Sequence, residues 1–166
     1  MIYFAMGSSG TPEIVAKVIE SFAGKPYHVI APVKFQLAQV RGTRVPDNVL
    51  VTDWVPALQV NKMADLTVIH GGIGTVMTAA LAGKPVVGVG MQMEQVANLA
   101  SLERLGFAIR VPKSQDPSAK IQVAIERLLH DDAAKAKATA FARTVAQWDG
   151  PRIAAEMLVE RYGSSE

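Results

Sequence analysis

A phrase that occurs twice limits the folds open to this chain. "IYFAMGSSGTPEIVAKVIESFAGKPYHVI" begins at Ile2 and "LTVIHGGIGTVMTAALAGKPVVGVG" at Leu66. Each reads as an aliphatic strand, a glycine turn ending in Gly-Thr, a helix with apolar residues at three- and four-residue spacing, then Ala-Gly-Lys-Pro and another strand. A strand carried through a helix to the next strand is the crossover of a parallel sheet. The Ala-Gly-Lys-Pro piece has a structural account: glycine supplies the left-handed residue that closes a helix, and the proline after it prevents resumption.

"IYFAM", "YHVIA", "NVLVT", "LTVIH", "PVVGVG" and "FAIRV" do not alternate with polar residues, so they read as strands buried on both faces. Between them lie amphipathic stretches, with Ile14, Val15, Val18, Ile19 and Phe22 in one and Val96, Leu99, Leu102 and Leu105 in another. The expectation is a doubly wound α/β fold, one parallel sheet of about six strands in the order 3-2-1-4-5-6. "SAKIQVAIERLLH", "DDAAKAKATAFARTVAQW" and "PRIAAEMLVERYG" follow as helices, over about residues 117–164, expected to pack on the edges and back of the sheet. Residues 31–48 are weakly patterned and expected to be partly loop, and residues 1–166 are expected to form a single domain.

A chain of 166 residues suits that expectation, burying roughly 70% of the surface its unfolded form exposes. Cysteine is absent, which excludes disulfides, zinc-thiolate sites and a cysteine nucleophile and suits a reducing, cytoplasmic setting. The formal charge is only +2, and the Lys and Arg residues are scattered, so a nucleic acid polymer is not an expected partner. No apolar run approaches the roughly 20 residues of a membrane span, and no signal-peptide pattern opens the chain.

In a sheet of that order the first and fourth strands are neighbours, and "GSSGT" (7–11) and "GGIGT" (71–75) face each other across the crevice above them. Each turn opens a helix whose first N–H groups lack partners and carry the positive end of the dipole, which suits a diphosphate. Gly72 and Gly74 let a ligand approach the main chain, Ser8, Ser9 and Thr75 offer hydroxyls, and His70 at the strand tip can bond a phosphate oxygen. The plainer reading is that the glycines only make tight turns and His70 bonds a loop carbonyl. Two facing turns with hydroxyls favour the anion site. The dinucleotide fingerprint fits poorly, since Met77 stands where its third glycine belongs and Glu94 comes too late to be its acid. No Gly-Lys-Ser/Thr occurs, so the P-loop is absent as well.

Across residues 53–108, with Trp54-Val55-Pro56, His70-Gly71-Gly72-Ile73-Gly74-Thr75 and Glu94-Gln95-x-x-Asn98, the sequence resembles the C-terminal nucleotide-sugar donor-binding domain of two-domain glycosyltransferases of the GT-B fold. "FAMGSSG" and the helical tail extend the likeness over nearly the whole chain. The resemblance implies a Rossmann-like half of such an enzyme, binding a UDP-sugar or a dTDP-sugar and moving a hexose to an acceptor hydroxyl. It implies that Trp54 stacks on the pyrimidine, with the Val55 backbone reading the base edge. His70, Gly72, Gly74, Thr75 and Ser8 or Ser9 would hold the diphosphate. Glu94 and Gln95 would bond sugar hydroxyls, and Asn98 would support their loop. Trp54 as an edge-of-core aromatic and Glu94 as a first-turn helix acid are the rival readings. Ala57 stands where many members carry Gln, Thr78 where plant members carry a ribose-binding Glu, and Ile73-Gly74 where the plant pattern has Trp-Asn, which leaves phosphate contact to the backbone.

The resemblance also implies that the acceptor site and catalytic base belong to an acceptor-binding domain or subunit absent from this chain. Neither His28, in the second strand, nor His130, at a helix end before Asp131-Asp132, has a neighbouring acid motif that makes it a convincing base; both are expected to be structural or surface residues. The catalytic residues are therefore unassigned, and the chain alone is expected to be inactive. No Asp-x-Asp lies between strands, so neither a metal nor another cofactor is expected. A separate donor subunit of a two-chain enzyme and a non-catalytic nucleotide-binding module are the alternatives.

Overall fold

The computed structural model describes residues 1–7 and 10–163. One parallel sheet organises the chain, in the order β3-β2-β1-β4-β5-β6. Its strands are β1 (Ile2–Ala5), β2 (Val29–Ala31), β3 (Val49–Val51), β4 (Leu66–Ile69), β5 (Val86–Gly88) and β6 (Ala108–Arg110). The connecting helices are α1 (Pro12–Glu20), α2 (Lys34–Leu37), α3 (Ala57–Met63), α4 (Ile73–Ala82) and α5 (Met93–Leu105). After β6 come α6 (Ser118–Leu129), α7 (Asp132–Val145) and α8 (Gly150–Tyr162). The expected sheet and its strand order are both present.

Burial explains the unalternating strands. Every residue of β1 and β4, the central pair, is buried, while edge strands β3 and β6 carry half-exposed or exposed positions. The order reverses at β1/β4, and right-handed crossovers running outward in both directions put their helices on opposite faces. α6 passes under β4, β5 and β6 and meets α1, whereas α3, α4 and α5 adjoin one another. Phe4 and Phe22 meet edge to face at 6.0 Å between ring centroids, and Tyr27 continues the cluster.

The two copies of Ala-Gly-Lys-Pro behave differently. Gly83 caps α4 in the left-handed conformation, as the sequence leads one to expect. α1 has already ended at Ser21, and Gly24, also left-handed, closes the turn that follows. The cause is Phe22, which leaves the helix line to fill the core between Phe4 and Tyr27. In α5, Leu99 and Leu102 are buried but Val96 and Leu105 lie at the rim.

The expectation that all the last helices pack on the sheet is corrected. α7 packs on α4 and α6, passing over Gly83 and Gly106 with Ala142 and Lys137 close by. No residue of α8 is buried, and Met157, Leu158, Val159 and Tyr162 are exposed. Leu158, Val159 and Tyr162 lie on one side of the helix, within an arc of roughly 100°, and no described element covers them. His28 and His130 are exposed, and His130 donates through Nδ1 to the Glu126 carbonyl, 2.8 Å away.

Removing Phe22 and removing α8 should therefore have unequal consequences. In urea unfolding, Phe22→Ala should cost about 3–5 kcal/mol. Deleting residues 150–163 should change stability by less than about 1 kcal/mol, and a larger loss would mean that α8 packs on the domain after all.

Candidate functional site

β1 and β4 pair in register from Ile2↔Leu66 to Ala5↔Ile69, so their carboxyl ends finish side by side. The chain leaves β1 into the first glycine turn and β4 into the second. His70 is the first residue past β4 and is only 8% exposed. Its Nδ1 lies 3.4 Å from the carbonyl oxygen of Ala5, the last residue of the neighbouring strand. Because a carbonyl can only accept, this contact places the ring proton on Nδ1 and leaves Nε2 without a partner among the described residues.

The glycines on either side are shaped to this ring. A Cβ at Gly7 would stand 2.8 Å from His70 Cε1, and one at Gly72 would stand 2.5 Å from Nε2. Both turns thus close on the imidazole, and any larger residue would cover or displace its Cε1–Nε2 edge. Gly71 has a different duty: its φ is +89°, and a Cβ there would stand 2.7 Å from both the Gln95 carbonyl oxygen and Leu99 of α5. Gly74 is open, with nothing within 4 Å of an added Cβ. Of the two glycines expected to admit a ligand, Gly74 faces free space and Gly72 faces His70. Ser8 and Ser9 lie outside the described residues.

Two helix ends flank the histidine. Neither α1 nor α4 has a side-chain cap at its N-terminus, so the first N–H groups remain to be satisfied from outside. α4 begins with no acid in its first turn, whereas α1 carries Glu13 there and Pro12 removes one of its donors. The α4 end is accordingly the stronger anion binder. Thr75 donates its hydroxyl proton to the Gly72 carbonyl at 2.8 Å. Burial pushes the His70 pKa down, the Ala5 carbonyl and the Glu94 carboxylate oppose that shift, and the net direction is downward.

Glu94 is exposed in the first turn of α5. Asn98 donates through Nδ2 to Glu94 Oε1 at 2.8 Å and to the Gly71 carbonyl at 3.0 Å, linking the second glycine turn to the α5 end. Gln95 is 3% exposed, and its Oε1 accepts the Met91 N–H at 2.9 Å, which ties the turn before α5 to the helix.

Trp54 follows β3 at the carboxyl edge of the sheet and is 79% exposed, which rules out its reading as a core aromatic. Val55 beside it packs on the core. Their loop is fastened to α2 by the Lys34 N–H on the Thr52 carbonyl and by the Lys34–Asp53 ion pair at 2.8 Å. Gln36 of the same short helix donates to the Gly7 carbonyl, so α2 ties the Trp54 loop to the first glycine turn. Gln36, Gly7 and Gly71 were not singled out by sequence reasoning. The "HGG" spacing was the available signal for Gly71; nothing local marks Gln36.

This arrangement can be compared with known proteins. The chain is 25% identical over 161 residues to the "Oleandomycin glycosyltransferase" of Streptomyces antibioticus, covering 95% of this chain and 37% of that protein. It is 27% identical over 147 residues to "NDP-glycosyltransferase YjiC" of Bacillus subtilis, covering 88% and 38%. Among solved structures, "the Glycotransferase of kitacinnamycin" superposes with a TM-score of 0.80 at 28% identity, over 96% of this chain and 42% of that one. The chain thus spans well under half the length of the relatives it matches. The family described as "Erythromycin biosynthesis protein CIII-like, C-terminal domain" matches residues 16–160, and with the sheet order and the convergent glycine turns this makes the chain a member of that glycosyltransferase C-terminal domain family.

Proposed function

We propose that the chain is the donor-binding half of a glycosyltransferase, holding a nucleoside-diphosphate sugar, a UDP-sugar above all, for transfer of its hexose to an acceptor hydroxyl. The observation that carries this reading is the buried His70, its Nε2 without a partner at the meeting point of two glycine turns and two uncapped helix ends. A diphosphate supplies acceptors for those N–H groups and negative charge for both dipoles. Trp54, held out from the same edge of the sheet, offers a flat apolar face for the pyrimidine. Glu94, fixed by Asn98 beside the second turn, offers its remaining oxygen to a sugar hydroxyl. No metal is needed in this scheme, because the helix ends and His70 meet the charge.

The relatives bearing glycosyltransferase names support the reaction class. Acceptor binding and the base that deprotonates the acceptor hydroxyl fall to a second domain or a partner chain, so this chain alone is inactive. The exposed apolar residues of α8 fit contact with such a second body. No described helix is long and apolar enough to cross a membrane.

Calorimetric titration with UDP, dTDP and GDP tests the assignment. One pyrimidine diphosphate should bind saturably, and Trp54→Ala and His70→Ala should each weaken it about tenfold or more, about 1.4 kcal/mol. Equal binding of all three nucleotides, or affinity untouched by either substitution, would contradict it.

A further inference from the structure

We propose that capture of the diphosphate takes up a proton, and that the proton goes to Nε2 of His70. The inference rests on the donor reading above and adds the protonation state of the group that meets the anion. In the free protein Nδ1 faces the Ala5 carbonyl, so the neutral ring has its hydrogen there and a lone pair on Nε2. Nε2 is the atom at the opening left by Gly72. A phosphate oxygen arriving at that opening therefore meets an acceptor.

There are two ways to turn that repulsion into a bond. Moving the hydrogen from Nδ1 to Nε2 would set the Nδ1 lone pair against the Ala5 carbonyl, leaving a buried acceptor unsatisfied, a loss of about 1–3 kcal/mol. Adding a proton keeps the Ala5 contact and makes Nε2 a charged donor, the stronger partner for phosphate. Protonation is the favoured route. It also requires a proton from solvent, because burial holds the free histidine below the ordinary imidazole value despite the opposing pull of Ala5 and Glu94.

The surroundings leave this charge change to the ligand. Glu94, from α5, is the charged group acting on the ring. Met6 and Gly7 on the β1 side, Gln36 of α2 and residues 71–75 of the second turn carry no charge. A bound diphosphate places anionic oxygens against Nε2 and raises the histidine pKa. The sign follows from linkage: affinity is level below the free value, falls with rising pH between the free and the bound value, and is level again above it.

UDP-glucose is the suitable probe, since its diesterified phosphates do not themselves titrate near neutrality. Calorimetry at neutral pH in buffers of differing ionisation enthalpy should show uptake of roughly 0.5–1 proton per ligand, with affinity falling by up to about tenfold per pH unit. His70→Gln, which keeps an amide donor, should bind with no proton uptake and a flat pH profile. Nuclear magnetic resonance titration of His70 in the unsubstituted protein should show its pKa rising on binding, whatever the variant's folding. Binding of UDP-glucose without proton uptake, or uptake that survives His70→Gln, would overturn the inference and leave the donor reading standing. No binding of UDP-glucose would overturn both.

Discussion

The pairing of β1 with β4 is the constraint on which the rest of this molecule depends. Those two strands are buried over their whole length and meet along their whole length. Their neighbours run outward on either side, so no third strand separates the two turns that leave them. The consequence is a crevice whose floor is a peptide edge and whose walls are two helix starts. His70 sits in it because its Nδ1–H finds the final carbonyl of the adjacent strand. A polar ring so nearly buried should be bonded at both nitrogens. Here one nitrogen is answered by the neighbouring strand, and the other has no partner among the described residues.

Close packing of α5 makes the crevice rigid. Gly71, Gly88 and Gly90 each lie where a side chain would strike α5, against Leu99, the Gln95 carbonyl or Val96. Asn98 then joins the second turn to Glu94, and Gln95 secures the loop from within. The residue that presents itself and the residues that hold it in place are thus neighbours on one helix face or one turn. On the opposite flank α2, though only four residues long, connects the Trp54 loop to the first turn. On both flanks a side-chain amide, Gln36 on one and Asn98 on the other, donates to a backbone carbonyl of a glycine turn.

The sheet was legible because unalternating aliphatic runs have one good use, burial on both faces, and because "LTVIHGG" and "IYFAMG" repeat one plan. That His70 and the glycines meet at the ends of β1 and β4 was legible, but the contacts each glycine makes were not. Whether a glycine faces open space, as at Gly74, or a side chain of the same protein, as at Gly7 and Gly72, depends on contacts between turns distant in sequence. Gln95 illustrates the same limit: its burial is set by the curl of the 91–95 loop, which has no signature in residue types. α8 shows the reverse case, since its apolar residues promised packing that the described residues do not supply.

The central claim is that the two glycine turns and His70 together form a diphosphate site. A crystal structure of this chain with UDP-glucose tests it most directly. The account predicts the diphosphate between the turns, with a phosphate oxygen about 3 Å from His70 Nε2 and from the first backbone N–H groups of α4. A nucleotide seated elsewhere, with the imidazole edge still bare, would contradict it.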